Sequence, residues 1–462
     1  MDVNKEIVNT SLTTDISDEA LNSCFFKQKS YFLNSKKNAS ISDRIKELRK
    51  IKEWLWQNRQ KIREALYQDS KKPEVEADLT EIKPILRELD NTIRHLKKWA
   101  APKKVSSGLA LLGTSSKVIY EPMGVVLIIA PWNFPFNLSI GPLVSALAAG
   151  NCVFIKPSEF APNTARLVST MIGELFPPEK VVVVEGDVEL AEKLLKLPFN
   201  HIFFTGSPEV GKKVMKAAAE HLASVTLELG GQNPLILDET ADLKDAAQKI
   251  IYNKMINAGQ SCLGVNYALI EQSIYADFVD VLKKEFENMY PCGINQLHNS
   301  PDFSRIINNK HFDRLNKIIE DAKESGVSCI WEGKGNRQDN YIPFTVLACP
   351  DLNNKLLEQE LFGPVLPLIP YSNLDEVLRY LNLRPAPLAI YIFSQDESRI
   401  EKIMKATTAG TTAINETTLQ FIHPHLPFGG VNNSGIGKAH GHYGFLAFSN
   451  QRAVLRQRVG HS

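Results

Sequence analysis

Cys262, Glu228 and Asn133 offer a nucleophile, a base and a hydrogen-bond donor, each in a segment of small or conformationally fixed residues. Cys262 closes Ala258-Gly259-Gln260-Ser261-Cys262, after a helical pattern. A thiol attacks as its thiolate, so it needs access and a lowered pKa. Glu228 ends the β-rich run Val225-Thr226-Leu227 and precedes Gly230-Gly231, a turn that lets backbone approach closely. A partly desolvated glutamate there can act as a general base. Asn133 stands between two prolines in Pro131-Trp132-Asn133-Phe134-Pro135, where its amide can donate to an oxyanion. Taken singly, each also reads as a packed cysteine, a turn carboxylate or a rigid turn.

Two further segments suit a phosphorylated ligand. Phe204-Thr205-Gly206-Ser207-Pro208-Glu209-Val210-Gly211-Lys212 runs from a predicted strand through a glycine turn into a helix expected from Val210. That layout presents free N–H groups and the helix dipole to an anion. The spacing is neither the G-x-G-x-x-G fingerprint nor a P-loop, since Lys213 follows Lys212. Ile155-Lys156-Pro157-Ser158-Glu159 ends another predicted strand. A lysine there can bond a ribose, and a glutamate can take a 2′-hydroxyl while repelling a 2′-phosphate. Glu360-Leu361-Phe362-Gly363-Pro364 and Pro427-Phe428-Gly429-Gly430 are loops punctuated by glycine and proline, uninformative alone.

The elements that must position these residues follow from periodicity. Residues 1–25 are polar and mixed, and are expected to be poorly ordered. Apolar residues recur at helical spacing over Ser42–Asp69 and again over Leu79–Trp99. From Lys117 onward short apolar runs alternate with helical patterns: Val125–Ile129, Cys152–Ile155, Val181–Val184, His201–Phe204 and Val225–Leu227 read as strands. Such alternation indicates a parallel sheet covered on both faces. A second α/β unit follows, with helices over Leu243–Ala258, Ala276–Glu287 and His311–Glu324, and strands at Tyr267–Ile270 and Thr411–Ile414.

Composition bounds the function. The 462 residues carry 53 Lys+Arg against 52 Asp+Glu, a formal charge of +1, which argues against a polyanion binder driven by bulk charge. None of the six cysteines forms a C-x-x-C pair, so neither a structural zinc nor a disulfide scaffold is expected. His423, His425, His440 and His442 are dense but lack a cysteine or carboxylate cluster, and no metal is expected. Neither a signal peptide nor an apolar run of about 20 residues is evident, so the expectation is a cytoplasmic protein without a membrane anchor.

Taken together and in order, the segments around Glu228, Cys262, Glu360 and Pro427 resemble the aldehyde dehydrogenase superfamily. Leu96-Lys97-Lys98-Trp99 and His440-Gly441-His442 look most like its class-three branch, which includes fatty, aromatic and medium-chain aldehyde dehydrogenases. The resemblance implies an α/β fold with a Rossmann-type cofactor domain, an α/β catalytic domain and a small oligomerisation element. It implies that Cys262 attacks an aldehyde, Asn133 and the Cys262 N–H hold the oxyanion, hydride passes to NAD or NADP, and Glu228 activates water to hydrolyse the thioester. It places Lys156 and Glu159 at the adenosine ribose, and Gly206, Ser207, Pro208, Glu209, Val210 and Gly211 at the pyrophosphate. Glu360 falls at the nicotinamide ribose and Phe362 beside the nicotinamide. It also implies a homodimer.

The division expected is 1–227 for the helical start and cofactor domain, with 115–130 in the oligomerisation element. Residues 228–420 form the catalytic domain, and 421–462 return to the cofactor domain and the oligomerisation tail. A scaffold without turnover and a cofactor-free esterase are the competing readings; intact Cys262, Glu228 and Asn133 argue against the first. The sequence departs from the class-three pattern at Gln232, Asn233 and Asn432, and over Leu263-Gly264-Val265-Asn266. The added glycine and missing proline are expected to loosen the backbone behind Cys262.

Overall fold

Runs such as Val125-Val126-Leu127-Ile128-Ile129, short, rich in β-branched residues and apolar at every position, read as strands covered on both faces. In the computed structural model, which describes residues 11–12, 16–37 and 39–460, they are. A seven-stranded sheet has the order Ser11–Leu12, Val181–Val184, Cys152–Lys156, Val125–Ile129, His201–Gly206, Ser224–Leu229, Gly435–Ile436. Its strands are parallel except the last, which returns antiparallel and sets Gly435 opposite Glu228. One face packs against the helices Ile41–Gln57, Lys83–Trp99, Asn137–Ala149 and Pro162–Leu175. The other packs against Asp18–Tyr31, Val188–Leu195 and Pro208–Ala219.

A second seven-stranded sheet has the order Ser328–Trp331, Thr345–Ala348, Val365–Tyr371, Tyr267–Glu271, Pro234–Leu237, Ala389–Phe393, Thr411–Ile414. Only its outermost pair, Ser328–Trp331 with Thr345–Ala348, is antiparallel. A small antiparallel sheet joins Lys103–Val105, Thr114–Pro122 and Ser449–Gln457. Within 115–130, therefore, Thr114–Pro122 lies in the small sheet and Val125–Ile129 in the middle of the first.

Several expectations are corrected. The start is not featureless: Ser17 caps a helix over Asp18–Tyr31 that buries Leu21, Phe25 and Gln28 against the first sheet. Residues 1–10 and 13–15 lie outside the described residues. The Ser42–Asp69 pattern is two helices, Ile41–Gln57 and Arg59–Ser70, broken at Asn58. The helix expected from Val210 begins at Pro208, because Ser207 accepts from Val210 N and proline suits the first turn. The Leu243–Ala258 helix stops at Met255, where left-handed residues turn the chain toward Cys262.

Candidate active site

Cys262 sits on a loop that local propensity alone would not form. Asn257, Ala258 and Gly259 have φ of 52°, 51° and 71°, three successive left-handed residues. For the two with side chains that conformation costs on the order of 1–3 kcal/mol each. Glycine is required third, since a Cβ on Gly259 would lie 2.3 Å from the Gly363 carbonyl oxygen. Buried polar side chains hold the turn. Asn257 Nδ2 donates to Asn133 O and Gln260 O, at 2.8 and 3.0 Å. Gln260 Nε2 donates back to Asn257 O and on to Arg305 O, at 2.9 and 3.0 Å.

Beyond Cys262 the chain is clamped as firmly, which overturns the expectation of a loosened segment. Asn233 Nδ2 donates to Cys262 O at 2.7 Å and to Gly264 O at 3.1 Å, and its Oδ1 accepts from Ala389 N at 2.9 Å. Tyr391 Oη and Asn253 Nδ2 donate to Leu263 O at 2.6 and 3.1 Å, and Lys254 Nζ to Val265 O at 3.0 Å. Side-chain amides do here what a proline does by restricting φ. Asn432, another departure, has φ 53°, a conformation that asparagine tolerates best after glycine.

Asn133 is fixed from two sides. Its Nδ2 donates to Gln260 O at 3.2 Å, and its carbonyl accepts from buried Lys72 at 3.3 Å. Lys72 pairs with buried Glu81 at 2.6 Å, and Glu81 Oε2 accepts from Asn137 N at 2.8 Å. An ion pair between the loop at 71–73 and the helical segment Asp78–Ile82 thus fixes both ends of Asn133–Asn137.

Glu228 is the opposite case. It is buried at the end of its strand, and neither carboxyl oxygen has a hydrogen-bond partner. Burial pushes it well above the usual carboxylate range, only partly offset by the Lys438 ammonium. Lys438 is held by Gly429 O and Gly430 O at 2.5 and 3.2 Å. Gly429, at φ 149°, packs so closely that an added Cβ would lie 3.0 Å from Glu228 Oε1. Burial, then the Glu360 and Glu228 carboxyls, push the Cys262 thiol up to about 12. Glu360 rises to about 7 through burial, eased by the Gly231 N–H that donates to it at 3.2 Å and by Arg314 and Lys254.

Asn133, Glu228, Cys262, Glu360 and Phe362 line one cavity of about 310 Å3, together with Gly206 and Ser207. Other predicted residues lie apart. Lys156 and Glu159 pair with each other at 2.8 Å at the end of the neighbouring strand, outside this lining. Glu209 and Val210 are exposed on the first turn of their helix, and Gly211 is buried there, where a Cβ would strike Leu229 at 2.7 Å. The sequence reading missed His311 and Arg314, on the helix Asn309–Glu324, and Trp132 as a wall of the cavity. Trp132 packs on the His311 and Phe362 rings at 4.7 and 5.3 Å. It also missed Pro84 and Glu88, on Lys83–Trp99, and His440 as a lining residue. Among the described residues no group of three or more His, Cys, Asp or Glu could hold a metal ion, and no helix is long and apolar enough to cross a membrane.

The aldehyde dehydrogenase family model matches residues 15–454. The chain belongs to the aldehyde dehydrogenase family. It is 39% identical over 431 residues to the 4,4'-diaponeurosporen-aldehyde dehydrogenase of Staphylococcus aureus, covering 93% of this chain and 92% of that one. It is 39% identical over 422 residues to the dimeric NADP-preferring aldehyde dehydrogenase of Rattus norvegicus, covering 91% of each. Among solved structures it is similar to the substrate-bound state of Staphylococcus aureus AldH, with a TM-score of 0.91 at 38% identity, covering 96% of this chain and 95% of that one. This aldehyde dehydrogenase is thus an NAD(P)-dependent enzyme of the class-three-like branch, and its two mostly parallel sheets are the family's fold.

Proposed function

We propose that Cys262 is the nucleophile, Asn133 and the Cys262 N–H the oxyanion donors, and Glu228 the base of this aldehyde dehydrogenase. The observation that carries the reading is that these three groups, drawn from three separate segments, line one cavity. Burial raises both the Cys262 thiol and the Glu228 carboxyl, so each gives up its proton to solvent before it acts. Attack by the Cys262 thiolate on the aldehyde carbonyl forms the S–C bond and moves the carbonyl electron pair onto oxygen. Asn133 keeps one amide N–H on Gln260 O and has a second to give that oxygen. A preorganised donor of this kind is worth about 2.7–4 kcal/mol in the transition state. NAD(P), when bound, supplies the hydride acceptor whose action leaves an acyl group on sulfur. Glu228, unpartnered and in its carboxylate form, then takes a proton from water as that water attacks the acyl carbon. The S–C bond breaks, the departing sulfur takes that proton from Glu228, and the acid leaves with the Cys262 thiol and the Glu228 carboxylate restored.

The residues present fit a dinucleotide. Gly206 and Ser207 precede the N-terminus of a 12-residue helix and open into the cavity that holds Cys262. Half-buried Glu360 and Phe362 would hold the nicotinamide end, and Pro208–Gly211, the first turn of that helix, would face the pyrophosphate. Lys156 and Glu159 would hold the adenosine ribose, with the Glu159 carboxylate favouring NAD over NADP. The predominantly apolar lining suits a medium- or long-chain or aromatic aldehyde.

The three sheets suggest a cofactor domain, a catalytic domain and an oligomerisation element, the last made by Lys103–Val105, Thr114–Pro122 and Ser449–Gln457. Leu109, Leu112 and Leu455 are exposed on or beside that small sheet, which supports a homodimer. A cytoplasmic location is part of the same proposal. The test is Cys262→Ala, measured as growth of reduced nucleotide with an aldehyde panel. The expected result is complete loss of aldehyde oxidation with retained nucleotide binding; oxidation at the parent's rate would overturn the mechanism.

A further inference from the structure

The cavity beside Cys262 is deeper than a reacting carbonyl needs, and its far end is polar. Asn137, Gly141 and Ser145 line it from one helix at intervals of four residues. At 1.5 Å rise per residue that wall runs about 12 Å. Its near end is fixed at the nucleophile, because Asn133 bonds Gln260 O and Glu81 accepts from Asn137 N. Glu88 lies seven residues beyond Glu81 along the adjoining helical segment and marks the other end. There Gly441 N donates to Glu88 Oε1 at 2.8 Å. Gly444, one turn on from Gly441, packs against Ser145, so that an added Cβ would lie 2.4 Å from Ser145 Oγ. Glu88 therefore stands opposite the nucleophile along the length of the cavity. Burial, eased by the Gly441 N–H and the Thr92 hydroxyl, pushes it up to about 7, and burial leaves the neighbouring His440 ring neutral, lowered to about 4. Between the two ends the wall has been kept open. A Cβ on Gly141 would meet only Asn137 Oδ1, at 3.6 Å, although a glycine within a helix costs about 1 kcal/mol relative to alanine.

We infer that Glu88 is a specificity-determining residue that receives a hydroxyl carried on the end of the aldehyde remote from the reacting carbonyl. The inference rests on the oxidation proposed above. A hydroxyl suits this position because it donates to a carboxylate and accepts from a carboxylic acid. A remote methyl gives the Glu88 carboxyl no partner beyond Gly441 N, and a remote carboxylate is repelled by the ionised form that prevails above about 7.

The test compares kcat/KM for a medium-chain alkanal with its ω-hydroxy and ω-carboxylate analogues of equal length. The parent is expected to favour the hydroxyl form over the methyl form by about tenfold, the worth of one buried hydrogen bond to a charged or acidic group. Glu88→Met should abolish or invert that ratio; a ratio equal to the parent's would overturn the inference. Glu88→Gln keeps an acceptor for Gly441 N and keeps the hydroxyl preference, but should raise use of the ω-carboxylate form by about tenfold. Unchanged discrimination against the carboxylate in this near-isosteric variant would overturn the inference even if Glu88→Met does not fold. Gly141→Leu should depress all three medium-chain substrates relative to propanal, and equal loss for propanal would refute the assigned depth. Propanal oxidation by the parent, lost in Cys262→Ala, tests the reaction itself independently of the far end.

Discussion

The chain around Cys262 and the carboxyl of Glu228 lie in the same cavity and are held in opposite ways. Behind the thiol, the carbonyls of Gln260, Cys262, Leu263, Gly264 and Val265 all accept from buried side chains. Glu228 has no partner on either oxygen. A buried carboxyl without partners is an expensive arrangement. It is a reasonable one only for a group that must trade its partner during the reaction, whereas a nucleophile works best when its backbone cannot move. On the proposed mechanism rigidity and reactivity are distributed: the loop is immobilised by polar clamps, and proton traffic is left to the untethered acid.

The sharpest test of the untethered side is Glu228→Gln. The amide keeps the shape and removes the base. Acylation should survive as a burst of reduced nucleotide near one equivalent per active site, while steady-state turnover falls on the order of 10²- to 10⁴-fold. Because the native oxygens bond nothing, stability should hardly change. The same contrast fixes a pH dependence. Burial raises both Glu228 and Cys262, so their proton-free forms grow as pH rises. Turnover of the parent should therefore climb from pH 7 to 9. In Glu228→Gln only the burst rate should keep that slope, and a steady-state slope unchanged by the substitution would remove Glu228 from the base role.

Asn233→Ala attacks the tethered side. It orphans the Cys262 and Gly264 carbonyls and the Ala389 N–H at once. At about 1–3 kcal/mol for each buried group, the expected loss is about 4 kcal/mol, read from urea midpoints. Activity should fall through kcat rather than KM, since what is lost is the aim of the nucleophile. A variant as stable as the parent would show that the clamp seen at Cys262 is redundant.

How much of this was legible in advance depended on whether the residues were contiguous. Glu228, Cys262, Asn133, Glu360 and Phe362 announce themselves in short motifs, because glycines or prolines must flank them for the backbone to pass. His311, Arg314 and Glu88 reach the cavity from long amphipathic helices, where a polar residue looks like solvated surface until the partner element is known. The strand Val365–Tyr371 was hidden by Pro367 and Pro370, which usually argue against an interior strand. The clamps were misjudged because a loop's stiffness was read from its own residues, whereas Asn233, Asn253, Lys254 and Tyr391 supply it from elsewhere.

Glu88 falls between the two regimes, a buried carboxyl eased by the Gly441 N–H and the Thr92 hydroxyl, and it yields the smallest effect. Its acid form persists in the fold up to about 7, while an unfolded glutamate loses its proton near about 4.3. Between those values the native state binds the extra proton, so stability falls as pH rises. The contribution is fully present below the unfolded value and gone above the folded one. Glu88→Gln cannot lose a proton, so its stability relative to the parent should improve by about 2–3 kcal/mol between pH 4.5 and 8. Urea midpoints of parent and variant at the two pH values measure this directly. A difference independent of pH would mean that Glu88 is ionised in the fold, and would place it with the tethered groups rather than with Glu228.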